Sequence, residues 1–155
     1  MLGKEVNGDK SNQKISSSIQ EKLRGAGLRC FIDSESGDMC IPFGGGITIY
    51  AKAFEYAFCF TTFESIEIDL KDTRKATGFS QLMDWIHRRS NCEIEVNEIE
   101  KSIAISFCIS KEDCLSSPPE YFLGVMKGMV DIASHIHLFM MAAKIEKGMM
   151  VLSKN

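Results

Sequence analysis

The sequence predicts an α+β domain in which an antiparallel sheet is covered by helices, in the order α-β-β-β-α-β-β-α with a long C-terminal helix. Three observations carry that expectation. Residues 116–141 repeat apolar side chains at helical spacing, whereas 92–97 and 102–109 alternate with the two-residue period of strands. The 155 residues, 45% of them hydrophobic, suffice for one core and not comfortably for two. The expected division is a flexible N-terminus over 1–12, a single domain over 13–146 and a tail over 147–155.

In chain order, residues 1–12 hold Gly3, Asn7, Gly8, Asp9 and Ser11, too little apolar surface to order themselves. Ser11 or Asn12 then caps a helix whose narrow stripe is Ile15, Ile19, Leu23 and Ala26, and Gly25 with Gly27 ends it. Leu28–Asp33 and Asp38–Phe43 read as strands joined by Ser34-Glu35-Ser36-Gly37, a polar connection of hairpin length. After Gly44-Gly45-Gly46, the β-branched and aromatic run from Ile47 to Phe63 holds a third long strand or two shorter ones.

Residues 64–78 are mainly a charged loop, although Ile66-Glu67-Ile68 alternates well enough to extend the sheet. Phe79, Leu82, Met83 and Ile86 form the stripe of a helix with Trp85 at its edge, and the pattern stops near Asn91. Two alternating strands follow, paired as a hairpin through Glu98-Ile99-Glu100-Lys101. Glu93 and Glu95 on one side place water against part of that sheet.

Ser116-Ser117-Pro118-Pro119-Glu120 starts the last helix, with a Ser as cap and a proline in the first turn. Phe122, Val125, Met129, Ile132, Ile136, Phe139 and Ala143 line one seam of it. Leu123, Met126, Val130, Ala133, Met140 and Met141 widen the apolar arc to roughly 200°. So wide an arc predicts two contacts: the sheet on one side, and a neighbouring helix, second subunit or partner protein on the other. Met-rich faces adapt to varied partners, and this helix and its tail hold most of the methionines.

The net charge of −3 and pI near 5.6 oppose a nucleic-acid or anionic-lipid partner. The polar opening lacks the apolar run of a signal peptide, and no membrane span is visible, so a cytoplasmic protein is expected. The six cysteines lack C-x-x-C spacing and read as reduced structural thiols.

No constellation identifies a reaction, and no cofactor or metal is expected. Gly44-Gly45-Gly46 lacks the G-K-[ST] ending of a phosphate loop and reads as a turn. His135 and His137 point about 160° apart on a helix, so they read as one solvated and one packed histidine, with His137 the packed one. Asp84 and His87 form a surface pair. Cys114, in the connection before Pro118, is the only thiol placed like a nucleophile, and its plain reading is a small loop residue.

The helix entering the first strand (Lys22-Leu23-Arg24-Gly25-Ala26-Gly27-Leu28), the segment Leu82-Met83-Asp84-Trp85-Ile86-His87-Arg88-Arg89 and the terminal helix together resemble the type III secretion chaperone-like fold. That fold includes the secretion chaperones and the YbjN-type bacterial sensory transduction regulators. The resemblance covers about residues 13–146 and rests on element order and hydrophobic pattern. It implies a non-enzymatic protein that binds apolar segments of another protein. It also implies a homodimer formed through the middle helix, with Phe79, Met83, Trp85 and Ile86 as expected contacts. Leu123, Met126, Val130, His137 and Met141 are the expected partner-binding flank. The alternatives are a small-molecule sensor with a pocket between sheet and terminal helix, and a small thiol-dependent enzyme using Cys114.

Overall fold

The computed structural model describes the backbone of residues 2–153 and the side chains of residues 12–145. The expected flexibility of the first dozen residues and the tail from 147 fall mostly on side chains outside that range. Helix α1 spans Leu2–Gly25, so its backbone begins ahead of the expected cap at Ser11 or Asn12. Its expected stripe holds: Ile15, Ile19 and Leu23 are buried. The end is a Schellman motif, with Leu28 N–H donating to Leu23 O at 3.0 Å and Gly27 N–H to Arg24 O at 3.0 Å. Gly27 supplies the required left-handed backbone, at φ +89°.

The strands are β1 (Phe31–Ile32), β2 (Met39–Pro42), β3 (Thr48–Ala53), β4 (Ala57–Ser65), β5 (Glu93–Asn97) and β6 (Ser102–Ser110). They form one antiparallel sheet in the order β1-β2-β3-β4-β6-β5. The run after the triple glycine is thus two strands, and the first expected strand shrinks to two residues. Gly45 and Gly46 both have φ +79°, which accounts for glycine there without a ligand. Ile66-Glu67-Ile68 adds no strand, because Ile66 and Ile68 turn into the core as the chain leaves the sheet.

Between β4 and β5 runs α2 (Thr73–Arg89), capped by Asp72, whose carboxylate accepts from the Arg74 and Lys75 N–H groups. The β5–β6 hairpin turns where expected, with Asn97 Oδ1 accepting from Ile99 and Glu100 N–H. After it, a short helix α3 (Lys111–Ser116) precedes α4 (Pro119–Ser153). The expected Ser cap is therefore displaced: Ser117 closes α3, and α4 begins at the proline.

Helices α1 and α4 cover the same face of the sheet, and α2 packs against α4. The facing side chains (Ile41, Ile49, Ala51, Phe58, Phe60, Ile103, Ile105) are buried against Phe122, Met126, Met129, Ala133 and Ile136 of α4. Phe60 and Phe122 meet ring to ring at 6.0 Å. Lys22 fastens α1 to the turn between α3 and α4, donating to the Leu115 and Ser117 carbonyls at 2.7 Å each and to Cys114 O at 3.3 Å. A cation is favoured there because the last carbonyls of a helix have no intrahelical donor.

Candidate functional site

Because strand side chains alternate, a sheet covered on one face presents its other residues to water. The register aligns Phe31, Cys40, Tyr50, Thr61, Ser106 and Glu93 in one row across the uncovered face. The row is apolar at the β1–β3 end and acidic at β5. Phe31 is 56% exposed, Tyr50 45% and Phe63 55%, and the Tyr50 and Phe63 rings lie 6.2 Å apart. The strand pattern of Ile47 to Phe63 assigns Tyr50 and Phe63 to the sheet and gives them no surface role. Their signal was present in β4, where Phe58 and Phe60 alternate with Cys59, Thr61 and Phe63. Strand β5 pairs only with β6, so among the described residues one of its edges is open.

Two clefts flank α4. One, of about 530 Å³, lies between α2 and α4, with Trp85, Ile86, Cys92, Phe107, Tyr121, Val125 and Ile132 among its walls. Gly124 and Gly128 leave it open, since a Cβ at either meets nothing within 4 Å. Trp85, 39% exposed, is held by the Arg89 guanidinium 4.6 Å from its centroid and by the His135 ring at 5.1 Å. The second cleft, of about 570 Å³, runs from Gly44–Gly46 to Val130, His137 and Leu138. Glu64 and Glu67 also line it, with Glu64 Oε2 3.8 Å from His137 Nδ1 and Glu67 bonded to Lys144 at 2.7 Å. Burial pushes the Glu64 carboxyl up; the nearby His137 opposes this and Glu67 adds to it.

The residues expected on the partner flank are separated by the fold. Met126 is fully buried, Leu123 and Val130 are half-buried, and His137 and Met141 are exposed. Of the expected dimer contacts, Phe79, Met83 and Ile86 are buried in the core and Trp85 reaches the surface. The two histidines exchange the expected roles. His137 is the exposed one, and His135 is half-buried, its Nδ1 2.7 Å from Asp131 O. The physical reason is the rotation of α4, which turns Met126, Met129 and Met140 inward and carries His137 to the cleft rim.

Cys114 is not in a loop. It is fully buried in α3, and burial pushes its thiol up to about 11, opposed only by Lys22, which is the reverse of an activated nucleophile. Cys30 is likewise pushed up to about 11 by burial. The expectation that all cysteines are reduced also fails: Cys59 and Cys108 are joined by a disulfide between β4 and β6. Sequence spacing could not reveal this pair, which is 49 residues apart and set by strand register. Among the described residues no group of three His, Cys, Asp or Glu side chains is placed to hold a metal, and no helix is long and apolar enough to cross a membrane.

With its six-stranded antiparallel sheet and long closing helix, this chain has the type III secretion chaperone-like fold. The chain is similar to the Yersinia pestis type III secretion chaperone SycH, crystallised in complex with a stable fragment of YscM2. That match has a TM-score of 0.57 and 18% identity, covering 78% of this chain and 98% of the other. It is similar also to ExsC of the ExsC–ExsE complex, with a TM-score of 0.53 and 12% identity over 79% and 90% of the two chains. A third likeness is to YbjN of E. coli, with a TM-score of 0.50 and 10% identity over 84% and 92% of the two chains. No protein-family model and no curated protein sequence matches the chain. Identities this low establish a shared fold, and function is argued from the site.

Proposed function

We propose that this protein is a non-enzymatic, protein-binding module of chaperone or regulatory type that takes apolar segments of a partner protein. The observation that supports it best is the sheet face opposite α1 and α4, where Phe31, Tyr50 and Phe63 stand exposed. Both SycH and ExsC were crystallised as complexes with another protein, which agrees with that reading. A bound segment lays alternate apolar side chains on this face, or adds as a strand at β5, whose outer backbone groups have no strand partner. On α4 the partner flank reduces to Val130, His137 and Met141 with Leu123 beside them, supported from beneath by Met126. In a cytoplasmic homodimer, Trp85 is the α2 contact, while Phe79, Met83 and Ile86 stay in the core.

A native pull-down from bacterial lysate with tagged full-length protein, identified by mass spectrometry, tests the reading when run beside Tyr50→Asp and Phe63→Asp. A protein captured by the wild type and lost with these variants supports it. Capture indifferent to them and to Met141→Asp sinks it. Sedimentation equilibrium on the wild type and Trp85→Ala tests the dimer.

The cleft between α2 and α4 favours a second reading, a small-molecule sensor, because its 530 Å³ suits a drug-sized ligand and its walls are largely apolar. Gly124→Leu fills that cleft. A metabolite that raises the melting temperature of the wild type and not of Gly124→Leu favours the sensor.

A further inference from the structure

We propose that Cys59 and Cys108 form a reversible dithiol–disulfide site that exchanges with a small external disulfide. Cys59 on β4 and Cys108 on β6 are direct register partners, 4.2 Å apart at Cα, on the sheet face opposite α1 and α4. Directly opposed side chains on neighbouring strands lie close enough to meet, and the register holds the two cysteines opposite each other. Cys108 is exposed and Cys59 half-buried, which leaves the pair open to a small reagent.

No other described thiol competes for either partner. Cys30 and Cys114 are buried in the core on the opposite side of the sheet. Cys40 shares the open face but lies in the row of Tyr50 and Thr61, two strands away from β4. Cys92 stands ahead of β5, in the wall of the cleft against α2. The residue paired with Cys59 on its other side is Lys52 of β3, whose ammonium lies 5.7 Å from the centroid of the Phe54 ring. The arrangement stands whether or not the open face binds a partner.

In the forward step the Cys108 thiolate attacks one sulfur of the external disulfide RSSR and expels RS⁻. The Cys59 thiolate then attacks the Cys108 sulfur of that mixed disulfide and expels the second RS⁻. Two protein thiols are oxidised and RSSR is reduced to two RSH, which take the two thiol protons. The reverse reaction begins when an external thiolate attacks the exposed Cys108 sulfur.

The test uses full-length protein, fully reduced, freed of reductant without air and exposed to oxidised glutathione. The intact mass is expected to fall by about 2 Da from the reduced form, with no glutathione retained. Peptide mapping should find the link Cys59–Cys108. Closing a 49-residue separation raises the melting temperature by about 10 °C, and reduction reverses it. Cys59→Ser should stop at a single glutathione adduct on Cys108. The Cys59→Ser/Cys108→Ser double variant, its fold checked by circular dichroism, should show no mass change and no oxidant-dependent melting shift. An unchanged wild-type mass, glutathione persisting on Cys108, or a link involving any other cysteine would overturn the proposal.

Discussion

The two faces of the sheet are drawn from the same strands, residue by residue in alternation, yet they differ in what holds them. On the inner face, Phe58 and Phe60 are fully buried beneath α4. On the outer face, Phe63, three residues beyond Phe60, is 55% exposed and has Tyr50 as its aromatic neighbour. An aromatic residue's hydrophobicity therefore says nothing about its role until the helices are placed. The inner set is packed in the core, and the outer set is exposed surface.

The largest expected effect sharpens this contrast. Phe60→Ala leaves a cavity against Phe122 and should cost about 3–5 kcal/mol in urea unfolding, whereas Phe63→Ala should stay within about 0.5 kcal/mol. Comparable losses at both positions would mean that the outer face is covered by a structural contact. Next in size, Lys22→Met keeps the side chain's length and removes the donor to three carbonyls where α3 meets α4. It should cost about 1–3 kcal/mol, read by the same unfolding curves.

A smaller effect of opposite sign is expected at Gly78, inside α2. A Cβ there would sit 3.6 Å from the Phe139 ring, ordinary contact distance, so Gly78→Ala should stabilise by about 0.5–1 kcal/mol through helix propensity. Destabilisation would show that α2 and α4 pack more tightly than this. The smallest effect is pH-dependent. Burial raises the Glu64 carboxyl above its ordinary value of 4.5, so the folded protein holds that proton to higher pH than the unfolded chain does. The stability from this protonation is fully present below 4.5 and is lost as pH rises through the raised value. Glu64→Gln should therefore melt higher than wild type at neutral pH, with the gain vanishing near pH 4. A gain that persists in acid would assign the effect to packing.

Much of the architecture was legible in the chain. Most of the element order, the Schellman motif with Gly27 that closes α1, the turn through Glu98–Lys101 and the strand period of β5 and β6 follow from local chemistry: glycine's access to positive φ and two-residue alternation. The candidate surfaces were less legible. In α4 the arc is so wide that no residue marks its centre. The fully buried line runs through Phe122, Met126, Met129, Ala133 and Ile136, between the two sets that spacing had separated. Met126 thereby became core, and His137 came to the rim of a cleft.

By itself, then, the sequence determined the type of most elements and several of their turns, because capping, glycine and period act within a few residues. Only the tertiary structure decided which side of each element meets which neighbour. It rotated α4 between sheet and α2, left Tyr50 and Phe63 exposed on the sheet face opposite α1 and α4, and set Cys59 opposite Cys108. Those outcomes depend on register and packing between residues far apart in the chain. Such energies are shared among many side chains and written in no single stretch.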